Sequence, residues 1–583
     1  MKRKISYLLI LVHFILFKMN AQGNAAGKVN NTILVPHQEQ VFLHSNTTMA
    51  FVGEYIYYTL YCLKDNTGKL SDVSKIAYVK LVNQDKEVVL NHKIKLDNGI
   101  GDSNFFVPSS IPSGNYKLVA YTNWMLNNGK NYFYSEDITI LNPYTSDQSV
   151  FRYTQVTDTL QKTATVKTEA VYGSPSLHVE LDRESYGVRE PIIMKIASNN
   201  STDGFGNYSI SIKKVDELEE EGNKSAVGYL KEYPEKKALG SLILPELRGE
   251  LLSGRLNITE NVNSIEDKIV IGASFPGEDY LFKTATPDEN GKFYINVGED
   301  YSSENVYLQV LSDKNGDYQI TMDQEEDLDF SQLKFENFRL DRKMDSVIRA
   351  RSIYNQIENA YYSSKPDTIL VGKENNRFYG PSTMKYVLDE YTRFSSIKET
   401  FVEVVEHVWI QENAKGEQKF HVRPIAPYVD SGELPLVFVD GILLLDHEKL
   451  INLNAAQVNS ISISRNQHFY GNKTFQGVVD VITFKSDFYN SLYSEDISAH
   501  TLFKPDENKR YYHQSYKGDL KETYRRMPDF RNQLLWEPRY QMSEKEQMME
   551  FFSSDIKGTF EISLEGFTKN GTPVSLKKHF LVE

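Results

Sequence analysis

Cysteine is nearly absent: the 583 residues include one, Cys62. An intrachain disulfide framework, a cysteine-based zinc site and an iron–sulfur cluster are therefore excluded. Basic charge is also short, with 65 Lys+Arg against 79 Asp+Glu and a net charge of −14. A general nucleic-acid binder carries the opposite balance, so that class is set aside. Beyond the first residues, no apolar run reaches the ~20 residues of a membrane-spanning helix. Catalytic signatures are missing too: there is no Gly-x-Ser-x-Gly elbow, His-Glu-x-x-His pair or phosphate-binding glycine loop. His447-Glu448 has no second histidine four residues after the first, and Gly99-Ile-Gly101 and Gly204-Phe-Gly206 lack a third glycine. Carboxylates abound, but their spacing singles out no acid–base pair. Cys62 sits within a strand pattern and reads as a small buried apolar residue rather than a nucleophile. Asp313, Asn315 and Asp317 lack the terminal glutamate ligand of a calcium loop. His37 and His44 read as isolated surface histidines. The sequence thus predicts a protein that is not an enzyme, with no catalytic residues, no metal site and no cofactor.

Aromatic residues are plentiful, with 37 Tyr and 31 Phe. Strands favour these residues, so the composition predicts a β-rich globular chain. Its length predicts roughly four to six domains. At the start, Lys2, Arg3 and Lys4 precede an apolar stretch from Ile5 to Phe17, with Ala21 as a small residue for cleavage. This is a signal-peptide pattern over residues 1–21, and the mature protein is expected to be exported with no transmembrane segment. Period-2 runs bounded by turn residues follow, such as Tyr55 to Tyr61, Ile76 to Val82 and Lys117 to Thr122. They predict an antiparallel sandwich over residues 33–144. Thr154 to Thr168 reads as a linker, and a second sandwich is expected over 176–230. Short hairpin-like strands predict a third sandwich over 243–325. Phe338 to Tyr362 is the clearest helical stretch, within a connector at 335–384, and Met384 to Arg393 reads as a second helical segment.

Several stretches bear resemblances. Gly53-Glu54, Gly101 to Pro108 and Pro112-Ser-Gly-Asn-Tyr116 through Trp124 resemble a macroglobulin-type sandwich. Leu177 to Tyr186 with Arg189-Glu190 resembles a second such domain. The Cys-Gly-Glu-Gln thioester of the protease-trapping members is absent, which rules out covalent trapping by that route. Leu244 to Gly254 and Thr286 to Phe293 resemble a carboxypeptidase-regulatory-like sandwich, a module without catalytic residues of its own. Pro435-Leu-Val-Phe-Val-Asp-Gly-Ile442, Val458 to Ile463, Tyr470-Gly471 and Phe475 to Thr483 resemble the plug domain of TonB-dependent receptors, over 385–487. That resemblance implies a small mixed sheet. Ser462 departs from it, standing where the usual triplet has an acidic residue. Only about a hundred residues remain after Asp487, too few for a receptor barrel, and they read as a C-terminal β domain at 488–583. This order of modules is similar to barrel-less exported proteins of the Bacteroidetes. Asp158-Thr-Leu, Asp345-Ser-Val and Asp367-Thr-Ile match an O-glycosylation pattern of that group.

The expected fold is mainly β: tandem β-sandwiches, then a small α+β plug-like domain and a C-terminal β domain. The expected function is that of a non-catalytic accessory protein, periplasmic, outer-membrane-associated or at the cell surface, in transport or assembly. Its plug-like module would dock on a protein partner such as a β-barrel transporter, with Val439, Asp440, Gly441, Tyr470 and Gly471 as candidate contact residues. The alternative is an exported adhesin or glycan/peptide-binding protein that uses aromatic residues such as Trp124 or Trp536 as platforms. A third reading is a hydrolase with a carboxylate pair that no motif marks.

Overall fold

The computed structural model is mainly β, with strands paired into several small sheets and few helices between them. It describes residues 37–145, 151 and 176–583, except 201, 216–217, 219–223, 230–232, 238–241, 260–268, 278–279, 313–316, 337, 371–376, 381–382, 427–428, 431, 471–472 and 489–496. The expected signal segment, the linker at 154–168 and the Asp158 tripeptide lie outside the described residues. So do Asp313 and Asn315 of the calcium reading. From Gln38 onward the chain forms one unit.

In the first sandwich, Glu39–Ser45, Tyr55–Lys64 and Ile100–Phe106 form a three-stranded sheet. It faces a five-stranded sheet of Val88–Lys95, Ile76–Val82, Gly114–Tyr121, Tyr134–Leu141 and Met49–Phe51, the last strand joining in parallel. Phe42, Tyr58, Leu60, Val79, Leu118 and Ile138 are fully buried in its core. Strand alternation predicts one wet face, yet Ile76–Val82 and Gly114–Tyr121 are buried at every position. The outer faces are covered by other parts of the chain: Lys80 pairs with Glu325 at 2.8 Å, and Lys93 pairs with Glu250 at 2.6 Å.

The second sandwich corrects the expected boundaries. Leu177–Leu181, Ser185–Tyr186, Pro191–Ser198 and Gly206–Lys214 do not close two sheets on their own. Gln533–Met542, Gly558–Thr568 and Pro573–Val582 join Gly206–Lys214 and Ser185–Tyr186 in a five-stranded sheet. Glu546–Phe552 pairs with Pro191–Ser198 in the opposing three-stranded sheet. The strands expected as a C-terminal β domain at 488–583 thus pair with those of the second sandwich. The physical reason is burial: Ile210, Ile212, Ile562 and Leu564 share one apolar core, and neither half covers its apolar face without the other. Pro538 is tolerated within Gln533–Met542 because that strand lies at the sheet edge.

The third sandwich contains strands from Glu250–Ile258 to Tyr318–Met322, with Ser498–Thr501 added beside Asn305–Val310. The following α+β module has a five-stranded mixed sheet in which Leu436–Val439 runs parallel to Lys473–Thr483. The short helices Ile397–Glu403 and His447–Ile451 pack on it. The expected helix at Met384 to Arg393 is instead the edge strand Thr383–Val387 followed by a 3-10 turn at Leu388–Glu390. Pairing with Val458–Tyr470 satisfies its backbone, and Tyr386 enters the module's core. The connector helix is Asp345–Ala360. Among the described residues, no helix is long and apolar enough to cross a membrane.

Candidate functional site

The expected docking turn is used internally. Asp440 has φ +52 and its carboxylate accepts hydrogen bonds from the Thr483 amide and hydroxyl, both at 2.7 Å. It also accepts from the Phe488 amide at 3.3 Å, so this side chain staples the turn to the last strand of the sheet. Val439 is fully buried. Gly441 has φ +80, and a Cβ there would sit 2.6 Å from Tyr280 Cβ of the third sandwich. Leu443 N donates to Ser274 Oγ of that same sandwich at 3.1 Å. Tyr470 is half-buried, its ring 5.3 Å from that of Phe282; Gly471 lies outside the described residues. Val439 thus lies in the core of the α+β module itself, Asp440 is bonded within that module, and Gly441 abuts Tyr280 of the third sandwich.

Other singled-out residues are also internal. Cys62 is buried, and burial pushes its thiol pKa well up, with the Glu39 carboxylate adding to the effect. His44, expected on the surface, is buried, which lowers its pKa to about 3. Its Nδ1 lies 2.6 Å from Ser209 Oγ across the junction of the first two sandwiches. Trp124 is core. Among the described residues, no group of three His, Cys, Asp or Glu is placed to hold a metal.

A different place gathers chemistry at a surface. On the helix Asp345–Ala360, Arg351, Asn355 and Asn359 are spaced by four and so lie on one face. That face grips the turn Val52-Gly53-Glu54. Arg351 makes a two-pronged pair with Glu54, Nε at 2.9 Å and Nη2 at 2.8 Å. Asn355 Nδ2 donates to Val52 O at 2.8 Å, and Asn359 Nδ2 donates to Gly53 O at 2.9 Å. Gly53 has φ +88, and a Cβ on it would meet the Asn359 amide at 2.8 Å. Only glycine permits so close a clamp. The opposite wall is the start of Gln533–Met542. Gln533 Oε1 accepts from Asn46 Nδ2 at 3.0 Å, while its Nε2 donates to Ser211 Oγ at 3.0 Å, tying the two sandwiches together.

Between these walls lies a cavity of about 190 Å³. Tyr55 and Tyr57, two apart on one strand, both line it. The Tyr55 ring stacks on Tyr362 at 5.8 Å and 16°, and lies 5.1 Å from Phe106. Tyr57 is 6.0 Å from Trp536 and 5.4 Å from Tyr511. Tyr362 is 47% exposed, so this aromatic row opens to solvent. Burial raises the pKa of the Tyr55 and Tyr57 hydroxyls, keeping them neutral. The charged wall residues are engaged within the protein: Glu358 by Lys365 at 2.8 Å, Asp367 by Lys509 at 3.3 Å, and Arg531 by Asp529 at 2.6 Å. Lys213 Nζ donates to Thr47 Oγ1 at 2.7 Å. Trp536 Nε1, by contrast, is buried and has no hydrogen-bond partner among the described residues. Such an orphan donor is costly. The arrangement suits reversible binding, with flat apolar faces beside a few polar groups.

The sequence carried two signals for this cleft, the Tyr55-Ile-Tyr57 alternation and the Arg351, Asn355, Asn359 spacing. It did not show that the two meet.

No family model matches the chain, and no curated protein matches it. Among solved structures it is similar to Salmonella alpha-2-macroglobulin reacted with methylamine (TM-score 0.24, 9% identity), covering 94% of this chain and 40% of that one. Escherichia coli alpha-2-macroglobulin activated by porcine elastase gives a TM-score of 0.23 and 9% identity, covering 94% and 44%. The Escherichia coli adhesin FdeC gives 0.14 and 9% identity, covering 47% and 60%. The chain spans less than half the length of these two macroglobulins.

Proposed function

We propose that this chain is an exported, non-catalytic binding protein that takes its ligand in the cleft between the connector helix, the first sandwich and the strand Gln533–Met542. The observation that carries this reading is the cavity lined by Tyr55, Tyr57, Trp536 and the exposed Tyr362, beside which the Trp536 indole N–H is buried and unpartnered among the described residues. The absence of catalytic signatures in the sequence agrees with binding rather than turnover. Probing arrays of glycans and peptides with the full chain and with Tyr362→Ala tests it. A ligand held by the native chain and weakened in the variant supports the cleft. No ligand at all, or equal retention by both proteins, overturns it.

A second reading, an outer-membrane accessory subunit, keeps one surface in its favour. Phe469 is 70% exposed on the long hairpin of the α+β module. A mild-detergent pull-down with native chain and Phe469→Ser tests it. A barrel protein recovered in near-stoichiometric amount by the first and lost by the second supports that role. A clean, monomeric protein sinks it.

A further inference from the structure

We infer that the cleft's ligand is a neutral glycan, bound through one pyranose ring, an inference that rests on the binding reading above. Three features of the cleft select this class.

Charge comes first. Glu54, Glu358, Asp367, Arg351, Lys365 and Arg531 line the cavity, each with its ionic partner in the protein, and the remaining lining cation, Lys213, donates to Thr47 Oγ1. A charged ligand that engaged one of the six would leave its partner uncompensated in a partly buried wall, which is strongly unfavourable. A neutral ligand disturbs none of them.

Shape is the second feature. About 190 Å³ is below the ~300–1,000 Å³ of pockets that enclose drug-sized ligands. The space suits a single ring, with the rest of a chain running outward past Tyr362. Tyr55 and Tyr362 stack nearly parallel, and Phe106, 45% exposed, flanks Tyr55. A pyranose offers flat faces of C–H groups to such rings and a girdle of hydroxyls at its edge. It therefore pairs apolar faces with the aromatic walls, Tyr362 and Trp536 among them.

Backbone geometry is the third feature, and it disfavours an extended peptide. Tyr55–Lys64 is flanked on both edges, by Glu39–Ser45 and Ile100–Phe106. At the free edge of Gln533–Met542, Leu535 O accepts from Gln533 Nε2 at 2.6 Å, and Trp536 O lies 3.4 Å from His513 Nε2. Strand addition needs open backbone groups, and beside the cavity these two carbonyls are taken.

The test is isothermal titration of the full chain with three probe sets: neutral β- and α-linked glucose, galactose and mannose oligosaccharides, sialylated oligosaccharides, and a mixed pentapeptide library. Tyr362→Ala and Trp536→Phe are titrated beside it, each checked by its thermal melt. Tyr362 is exposed, so its variant keeps the fold even where the Trp536 variant does not. Binding of a neutral oligosaccharide, insensitive to salt and weakened about tenfold by either variant (about 1.4 kcal/mol), supports the inference. Binding of only sialylated glycans or peptides, weakened by Tyr362→Ala, overturns the neutral-glycan class while leaving the cleft as the binding site. Binding of no probe, or of a probe indifferent to Tyr362→Ala, overturns both.

Discussion

Glu136 and Glu565 sit fully buried in two different sandwiches. Glu565 accepts from the Ala226 amide at 2.8 Å and the Ser575 hydroxyl at 2.5 Å. Glu136 accepts from the Ser45 hydroxyl at 3.1 Å. Burial is the main cause that raises their pKa values, to about 8 for Glu565 and about 7 for Glu136, against a usual 4.5. Nearby Lys577 and Lys224 offset part of this rise. Between pH 4.5 and these raised values the unfolded chain has lost protons that the folded chain still holds. Stability therefore falls as pH rises through that window. Urea unfolding from pH 5 to pH 8 should show a loss on the order of a few kcal/mol. Glu565→Gln should flatten much of the slope, and a midpoint independent of pH would refute this account. At the turn Asp440-Gly441, Gly441→Ala should lower the free energy of unfolding in urea by at least about 1 kcal/mol, through a positive φ and a Cβ pressed on Tyr280. Calorimetry of that variant would also show whether the α+β module melts apart from the third sandwich.

At the scale of elements, the connector helix shows how much a local pattern conveys. A helical stretch between Phe338 and Tyr362 was readable, and the helix is Asp345–Ala360. The difference lies at its start, where Phe338 and Leu340 pack in an extended segment against Phe51 and Phe151. The helix's polar face would ordinarily be read as solvated. Arg351 and Asn355 are buried instead, and together with the exposed Asn359 they satisfy backbone and carboxylate groups of the Gly53 turn. Arg351→Met should cost about 3 kcal/mol in urea unfolding, since it leaves Glu54 poorly solvated and unpaired. The double variant with Glu54→Gln should recover part of that loss. Simple additivity in this cycle would show that the pair does not hold the helix. The Thr383–Val387 strand makes the complementary point: five residues carry too little periodicity to tell an edge strand from a helical turn.

Across the whole molecule, the second sandwich joins strands more than three hundred residues apart in sequence. A chain ending at residue 528 would lack Gln533–Met542, Glu546–Phe552, Gly558–Thr568 and Pro573–Val582, leaving Ile192, Ile210 and Ile212 uncovered. Limited proteolysis should then cut rapidly within residues 177–214 while 39–141 stays protected. Equal resistance of both segments would show that the first half folds alone. The same return of the chain builds the cleft, since Trp536 and Gln533 reach Tyr57 and Asn46 only by that long-range pairing.

The sequence by itself determined the class of this protein. Alternating Tyr-, Val- and Ile-rich runs with glycine turns dictate β-strands, because strand geometry puts every second side chain on one face. The lone cysteine leaves no cysteine pair for an intrachain disulfide. What only the tertiary structure decided was which strands share a sheet, and hence which surfaces are free. Pairing across hundreds of residues depends on two apolar faces finding each other, and no local pattern records the partner. For that reason the Val439-Asp440-Gly441 turn looked open and is covered, while Trp536 acquired its place beside Tyr57 only when the last strands returned.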